Sequence, residues 1–88
     1  MKYTVIISKP AAKQIDKLPK TVKFRVATQI KSLATTPRPS GVVKMKSYVN
    51  QYRVRIGVYR VLYEIDDDQT AIKILQCRHR RDAYKDKG

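Results

Sequence analysis

Cysteine, histidine and carboxylate are scarce in this chain, and each scarcity closes off a class of function. One cysteine, Cys77, admits no internal disulfide. One histidine, His79, stands near it in an RHR context and gives no repeated ligand spacing, so no structural metal is expected. Long apolar runs are absent as well: clean ones such as Val5 to Ile7 fall far short of a membrane span or a signal-peptide core, which sets membrane aside and makes cytoplasmic residence the default. No internal repeat or low-complexity tract interrupts the 88 residues. That length predicts a single domain, 1–88, with a modest core and no room for a separate cofactor domain; no cofactor is expected.

Positive charge is what the chain has in abundance. Twenty Lys and Arg stand against seven Asp and Glu, leaving a formal net charge of +13 and a pI near 10.2. A small domain so charged repels itself and attracts nucleic acid or an acidic protein partner.

The charge is concentrated informatively in Asn50 to Ile65, NQYRVRIGVYRVLYEI. Placing Gly57 and Val58 as a two-residue loop, with glycine where a type II′ turn requires positive φ, pairs Ile56 with Tyr59, Val54 with Val61 and Tyr52 with Tyr63 on an apolar, aromatic face. The opposite face pairs Arg55 with Arg60 and brings Arg53 alongside. Like charges directly opposed on a sheet cost roughly 0.2–1 kcal/mol, so folding alone does not favour the pattern. A phosphate-binding surface does, because guanidinium forks match phosphate oxygens bidentately and keep their charge.

Elsewhere the periodicities describe a small α+β unit. Tyr3, Val5 and Ile7 have the alternation of a first strand. Pro10 opens a helix capped by Ser8 or Lys9, with Ala11, Ile15 and Leu18 on one face and Lys9, Lys13 and Lys17 on the solvent side, ended by Pro19. A second helix from about Thr21 carries Val22, Val26, Ile30 and Leu33 until Thr35, Thr36 and Pro37 stop it; the two make an αα-hairpin. Pro37 to Ser47 reads as a loop with a short strand at Val42 to Met45. After the hairpin, Asp66 to Asp68 form a turn, and Thr70 to Cys77 is a further strand leading into RHRRDAY. Its faces are ambiguous, since Ile72 and Ile74 compete with Ala71, Leu75 and Cys77, as in a central strand covered on both sides. The predicted fold is an N-terminal strand, an αα-hairpin, and a mostly antiparallel three- to four-stranded sheet with both helices on one face.

YRVRIGVYRVLYEI, the strand after it and HRRDAY, together with KLPKTVKFRVATQIKSL and the later KMK, resemble the RelE/ParE superfamily of toxin proteins, in its RelE-like branch. The resemblance spans almost the whole chain; the paired YR segments and the HRR-to-Tyr ending carry most of its specificity. It implies a RelE-like fold and the toxin of a type II toxin–antitoxin system: a metal-independent endoribonuclease, or mRNA interferase, that cuts messenger RNA in the ribosomal A site by 2′-hydroxyl attack and is held inactive by a RelB-like antitoxin. Its expected partners are that antitoxin, mRNA and the ribosome.

Metal-free RNA cleavage needs a base for the 2′-hydroxyl, an acid for the leaving oxygen, charge stabilisation of the phosphorane and in-line positioning. By resemblance, Arg53 and Arg55 fall on the strand beneath the scissile phosphate and Arg60 at a phosphate-stabilising arginine. Arg80 matches an arginine assigned to the leaving group, and Tyr84 a tyrosine that stacks on or orients a nucleotide. Lys44 and Lys46 match a basic loop that holds the RNA backbone. Arg78, where relatives carry glycine, adds a phosphate-binding group, and Arg81 joins the RNA-binding set. His79, with an unperturbed pKa near neutrality, is the preferred general base or acid. The catalytic set is thus Arg55, Arg60, His79, Arg80 and Tyr84.

Other side chains are expected to be structural. Tyr52, Tyr59 and Tyr63 read as packing, Cys77 as a small buried apolar residue, and Lys9, Lys13, Lys17, Lys20 and Lys23 as a solvated surface that steers association. Two alternative functions stay open: the resemblance also implies a ParE-like toxin that inhibits gyrase by protein contact, and the charge alone would suit a non-enzymatic RNA- or ribosome-binding module.

Overall fold

The computed structural model describes residues 2–46 and 49–81. Along the chain lie β1 (Thr4–Ile7), α1 (Lys9–Asp16), α2 (Lys20–Ser32), β2 (Val43–Lys44), β3 (Gln51–Ile56), β4 (Tyr59–Asp66) and β5 (Ala71–His79). The strands form one five-stranded sheet in the order β1-β5-β4-β3-β2. β1 pairs parallel with β5 and every other pairing is antiparallel. The fold is α+β, as the periodicities predict.

Local chemistry sets the helix ends. Ser8 is the N-cap of α1, its Oγ accepting the Ala11 N–H at 3.3 Å, and Pro10 occupies the first turn, where a missing N–H costs little. α2 begins one residue before the expected Thr21, with Pro19 as its N-cap residue and the Pro19 carbonyl accepting the Lys23 N–H at 2.8 Å. The apolar stripe Val26, Ile30 and Leu33 then turns inward with Ala11 of α1.

These helix residues share one core with the inner face of the sheet: Tyr52, Val54 and Ile56 from β3, Val61, Tyr63 and Ile65 from β4, and Ile72, Ile74 and Cys77 from β5. Each fully buried aliphatic side chain contributes about 1.5–3 kcal/mol. Ile7, in phase with Tyr3 and Val5, is 46% exposed on β1, an edge strand of the sheet.

β5 resolves its ambiguous faces differently from the expected two-sided burial. Leu62 pairs with Gln76 and Tyr63 with Ile74, so Leu75 is an extra residue in β5. This β-bulge reverses the alternation: Ile72 and Ile74 point inward before it, Cys77 after it. Past Ile74, α1 takes over from β1 at the strand's edge. Ser8 N–H donates to the Ile74 carbonyl (3.0 Å), Ser8 Oγ–H to the Leu75 carbonyl (3.1 Å), and Gln14 Oε1 accepts the Cys77 N–H (2.6 Å). Backbone groups of Leu75 and Cys77 that a neighbouring strand would satisfy are met by the side chains of Ser8 and Gln14.

Candidate nucleic-acid interface

The β3–β4 hairpin has the register that its sequence dictates. Gly57 has φ +61 and Val58 is not among the residues with positive φ, as a type II′ turn requires. Arg55 therefore faces Arg60 on the side of the sheet away from the helices. The bulge adds a third member, because it brings Arg78 of β5 directly opposite Arg60. Strands lie about 4.8 Å apart, so the Arg55–Arg60–Arg78 row rises from a backbone base roughly 10 Å long. Arg53 stands in the next row with Leu62 and Gln76. Planar cations side by side on an open face are suited to an anion with several oxygens.

The remaining site residues lie at varied distances from this row. Arg80 follows β5, is exposed, and donates its N–H to the Val58 carbonyl at 2.6 Å, holding the strand's exit against the hairpin tip. Arg81 is exposed beside it. Lys44 pairs with Tyr52, whose side chain is in the core, so Val43 rather than Lys44 shares the face of Arg53. Lys46 is exposed beyond the end of β2. Tyr84 lies outside the described residues.

His79 is separated from the arginines. It pairs with Tyr59 on the helix-facing side, and the two rings meet edge to face at 5.3 Å. Its Nδ1 accepts the Arg81 N–H at 3.1 Å, which places the proton of the neutral ring on Nε2. His79, Tyr59, Cys77 and Arg78 line a cleft of about 500 Å³ with Gln14, Lys17 and Leu18 of the α1 segment. The preferred general base or acid thus lies on the opposite face of β5 from the Arg55–Arg60–Arg78 row.

A polar network braces the far end of the sheet. Arg38 donates from Nε to Tyr52 Oη and from Nη2 to Asp67 Oδ2, both at 3.1 Å, while Tyr3 Oη–H donates to Asp67 Oδ1 at 2.6 Å. Tyr63 Oη–H donates to the Pro37 carbonyl at 2.7 Å. The bonds from Tyr3 and Arg38 hold the Asp67 carboxyl below its ordinary range, and Asp67 in turn raises Tyr3. Burial pushes the Tyr63 phenol up to about 12 and the Cys77 thiol up to about 11. Cys77 is thus a protonated, buried side chain, and Tyr52 and Tyr63, stacked at 6.0 Å, are packing residues. Sequence reading missed Arg38 as the partner of Tyr52; an arginine in a Pro-rich loop gave no periodic signal.

The sequence model of the ParE toxin of type II toxin–antitoxin systems (parDE) matches residues 5–84. Toxin RelG of Mycobacterium tuberculosis is 33% identical over 86 residues, covering 97% of this chain and 99% of its own. The archaeal RelE–RelB complex of Pyrococcus horikoshii contains a chain that superposes with a TM-score of 0.81 at 33% identity, covering 91% of this chain and 97% of that one. The E. coli toxin RelE shares the fold, with a TM-score of 0.80 at 19% identity over 96% of this chain and 90% of its own. The chain belongs to the RelE/ParE family of type II toxin–antitoxin toxins and is of the RelE type.

Proposed function

We propose that this toxin is an endoribonuclease that cuts messenger RNA in the ribosomal A site without a metal ion, by attack of a 2′-hydroxyl on the adjacent phosphate. The observation that carries this reading is the Arg55–Arg60–Arg78 row with Arg53 beside it. The pentacovalent phosphorane gathers negative charge on its equatorial oxygens, and prearranged guanidinium groups stabilise that charge without reorganising. In this reading the arginines supply the positive charge that the developing phosphorane needs. Arg80 serves the leaving 5′-oxygen, Tyr84 stacks on or orients a nucleotide, and Lys46 and Arg81 hold the RNA backbone, while Lys44 lies on the face opposite Arg53 and does not share the row's surface. His79 acts as a positioning residue: through the Arg81 N–H it shapes the exit of β5 from which Arg80 projects.

A RelB-like antitoxin is the proposed partner, as in the RelE–RelB complexes of the relatives. Primer extension on messenger RNA from cells expressing the toxin tests the reaction. Discrete cuts that require translation and vanish in Arg60→Leu support it; intact messenger RNA together with inhibited DNA supercoiling would establish instead the alternative of a ParE-like toxin directed at gyrase. For the positioning role, His79→Gln should cut more slowly yet keep the wild-type pH profile of the rate. A profile that loses a step near neutrality would return the proton transfer to His79.

A further inference from the structure

Phe24 breaks the pattern of its helix. The apolar stripe of α2 runs through Val22, Val26, Ile30 and Leu33, and Phe24 lies roughly 200° around the helix from Val22, at 74% exposure. An exposed aromatic ring outside the core stripe has no packing reason there. Beside it, Arg25 reaches across to the hairpin turn: a Cβ built on Gly57 would lie 3.6 Å from Arg25 Nη1. Between them opens a groove of about 320 Å³, lined by Phe24, Arg25, Thr28 and Gln29 on one wall and by Arg55, Ile56 and Gly57 on the other. The second wall is an open edge, since β2 pairs with β3 only at Tyr52 and Arg53.

We infer that this groove takes one nucleotide of a single-stranded RNA, its base stacked on Phe24 and its flanking phosphates held by Arg25 and Arg55. Three features favour RNA over other occupants. The lining holds two arginines and no carboxylate, in a chain of net charge +13. An exposed phenyl face stacks on any base, which is how sequence-tolerant single-strand sites work. Arg55 lines the groove and also ends the arginine row, so a strand crossing the row passes over the β3 edge into the groove without leaving positive surface. The inference rests on the RNA-cleaving reading above and adds a subsite to it.

The test is titration of a short single-stranded RNA bearing 2′-O-methyl groups, which lacks the attacking hydroxyl, against wild type, Phe24→Leu, Phe24→Trp and Arg25→Gln. Phe24 is exposed, so its variants should fold as wild type does. Loss of a stacked base weakens binding about 5- to 100-fold, so Phe24→Leu should fall in that range while Phe24→Trp retains affinity. Arg25→Gln should lower the slope of log K against log salt by about 0.7. Wild-type affinity in Phe24→Leu, in a protein that still cuts messenger RNA, overturns the subsite and leaves the nuclease reading standing. The same holds if wild type cuts in cells yet does not bind the oligonucleotide. Unchanged RNA affinity with a weakened antitoxin complex would also overturn it, assigning the open β3 edge to strand addition by protein. A wild-type protein that neither binds nor cuts RNA removes both readings.

Discussion

Thr70 and Asn50 both adopt left-handed backbone, with φ 51 and 65, but only asparagine is suited to it. Thr70 closes the turn between β4 and β5, and its carbonyl accepts the Thr4 N–H at 2.9 Å, beginning the parallel pairing of β1. A β-branched residue in that region carries strain of order 1 kcal/mol that the surrounding bonds hold in place. Thr70→Asn keeps the carbonyl and relieves the strain, so it should raise unfolding free energy by about 0.5–1 kcal/mol, seen as a higher urea midpoint at unchanged slope. A lower midpoint would show that the threonine side chain contributes more than its backbone costs. Arg55 presents the converse case, a residue whose placement favours binding over folding. It is exposed and faces Arg60 across the hairpin, so Arg55→Thr should leave stability unchanged or raise it by up to about 1 kcal/mol. If the chain cuts RNA as proposed, the same substitution should slow cutting about a hundredfold, because it removes a guanidinium from the phosphate-binding row. Normal cutting by a destabilised Arg55→Thr protein would make the arginine structural.

Elements differ in how much of them the sequence reveals, and the difference follows contact distance along the chain. The β3–β4 hairpin is local: a glycine free to adopt φ +61 and a strict alternation fix which residues pair, and Arg55 meets Arg60 as read. The helices are equally legible, because their stripes repeat every three or four residues. β5 is not, since its bulge at Leu75 is set by pairing with β4 and by the α1 side chains that satisfy its edge. That one residue moves Arg78 onto the arginine face and His79 off it. Nor does any local pattern reveal that β1 lies parallel to β5, some 65 residues away along the chain. The Arg38–Asp67–Tyr3 network is likewise long-range, joining the loop after α2, the β4–β5 turn and the segment before β1. Asp67 has a depressed folded pKa, so its contribution is present above the unfolded value of about 4 and is lost as pH falls through the lower folded value. Wild type should therefore lose stability in acid more steeply than Asp67→Asn, as urea midpoints between about pH 5 and pH 2 would measure. Parallel curves for the two proteins would mean that Asp67 does not couple these elements. The tyrosines set the alkaline side: Tyr63 is held neutral up to about 12, so its contribution is complete below about 10 and disappears as pH rises from there to about 12.

Across the whole molecule the charge is unevenly spread. Four of the seven carboxylates, Glu64, Asp66, Asp67 and Asp68, gather at the β4–β5 turn, while the arginine row crosses the opposite end of β4 near the hairpin tip. The lysines Lys9, Lys13, Lys17, Lys20 and Lys23 belong to the helical layer, on the other side of the sheet from the row. On the proposed RNA-cleaving function, the two positive surfaces should act at different stages of binding. Diffuse lysine charge raises the encounter rate, whereas a cation that replaces a counterion on a bound phosphate enters the equilibrium. Binding to a single strand should weaken with salt at a slope of about −0.7 for each phosphate neutralised, or roughly −2.8 for contacts by Arg53, Arg55, Arg60 and Arg78. Arg55→Thr should reduce that slope by about 0.7. Lys13→Gln should leave the slope unchanged and slow only association, which stopped-flow mixing at low salt would detect. Equal loss of slope in the two variants would place the strand across the helices as much as the sheet, and the arginine row would then lose its standing as the surface on which the phosphate reacts.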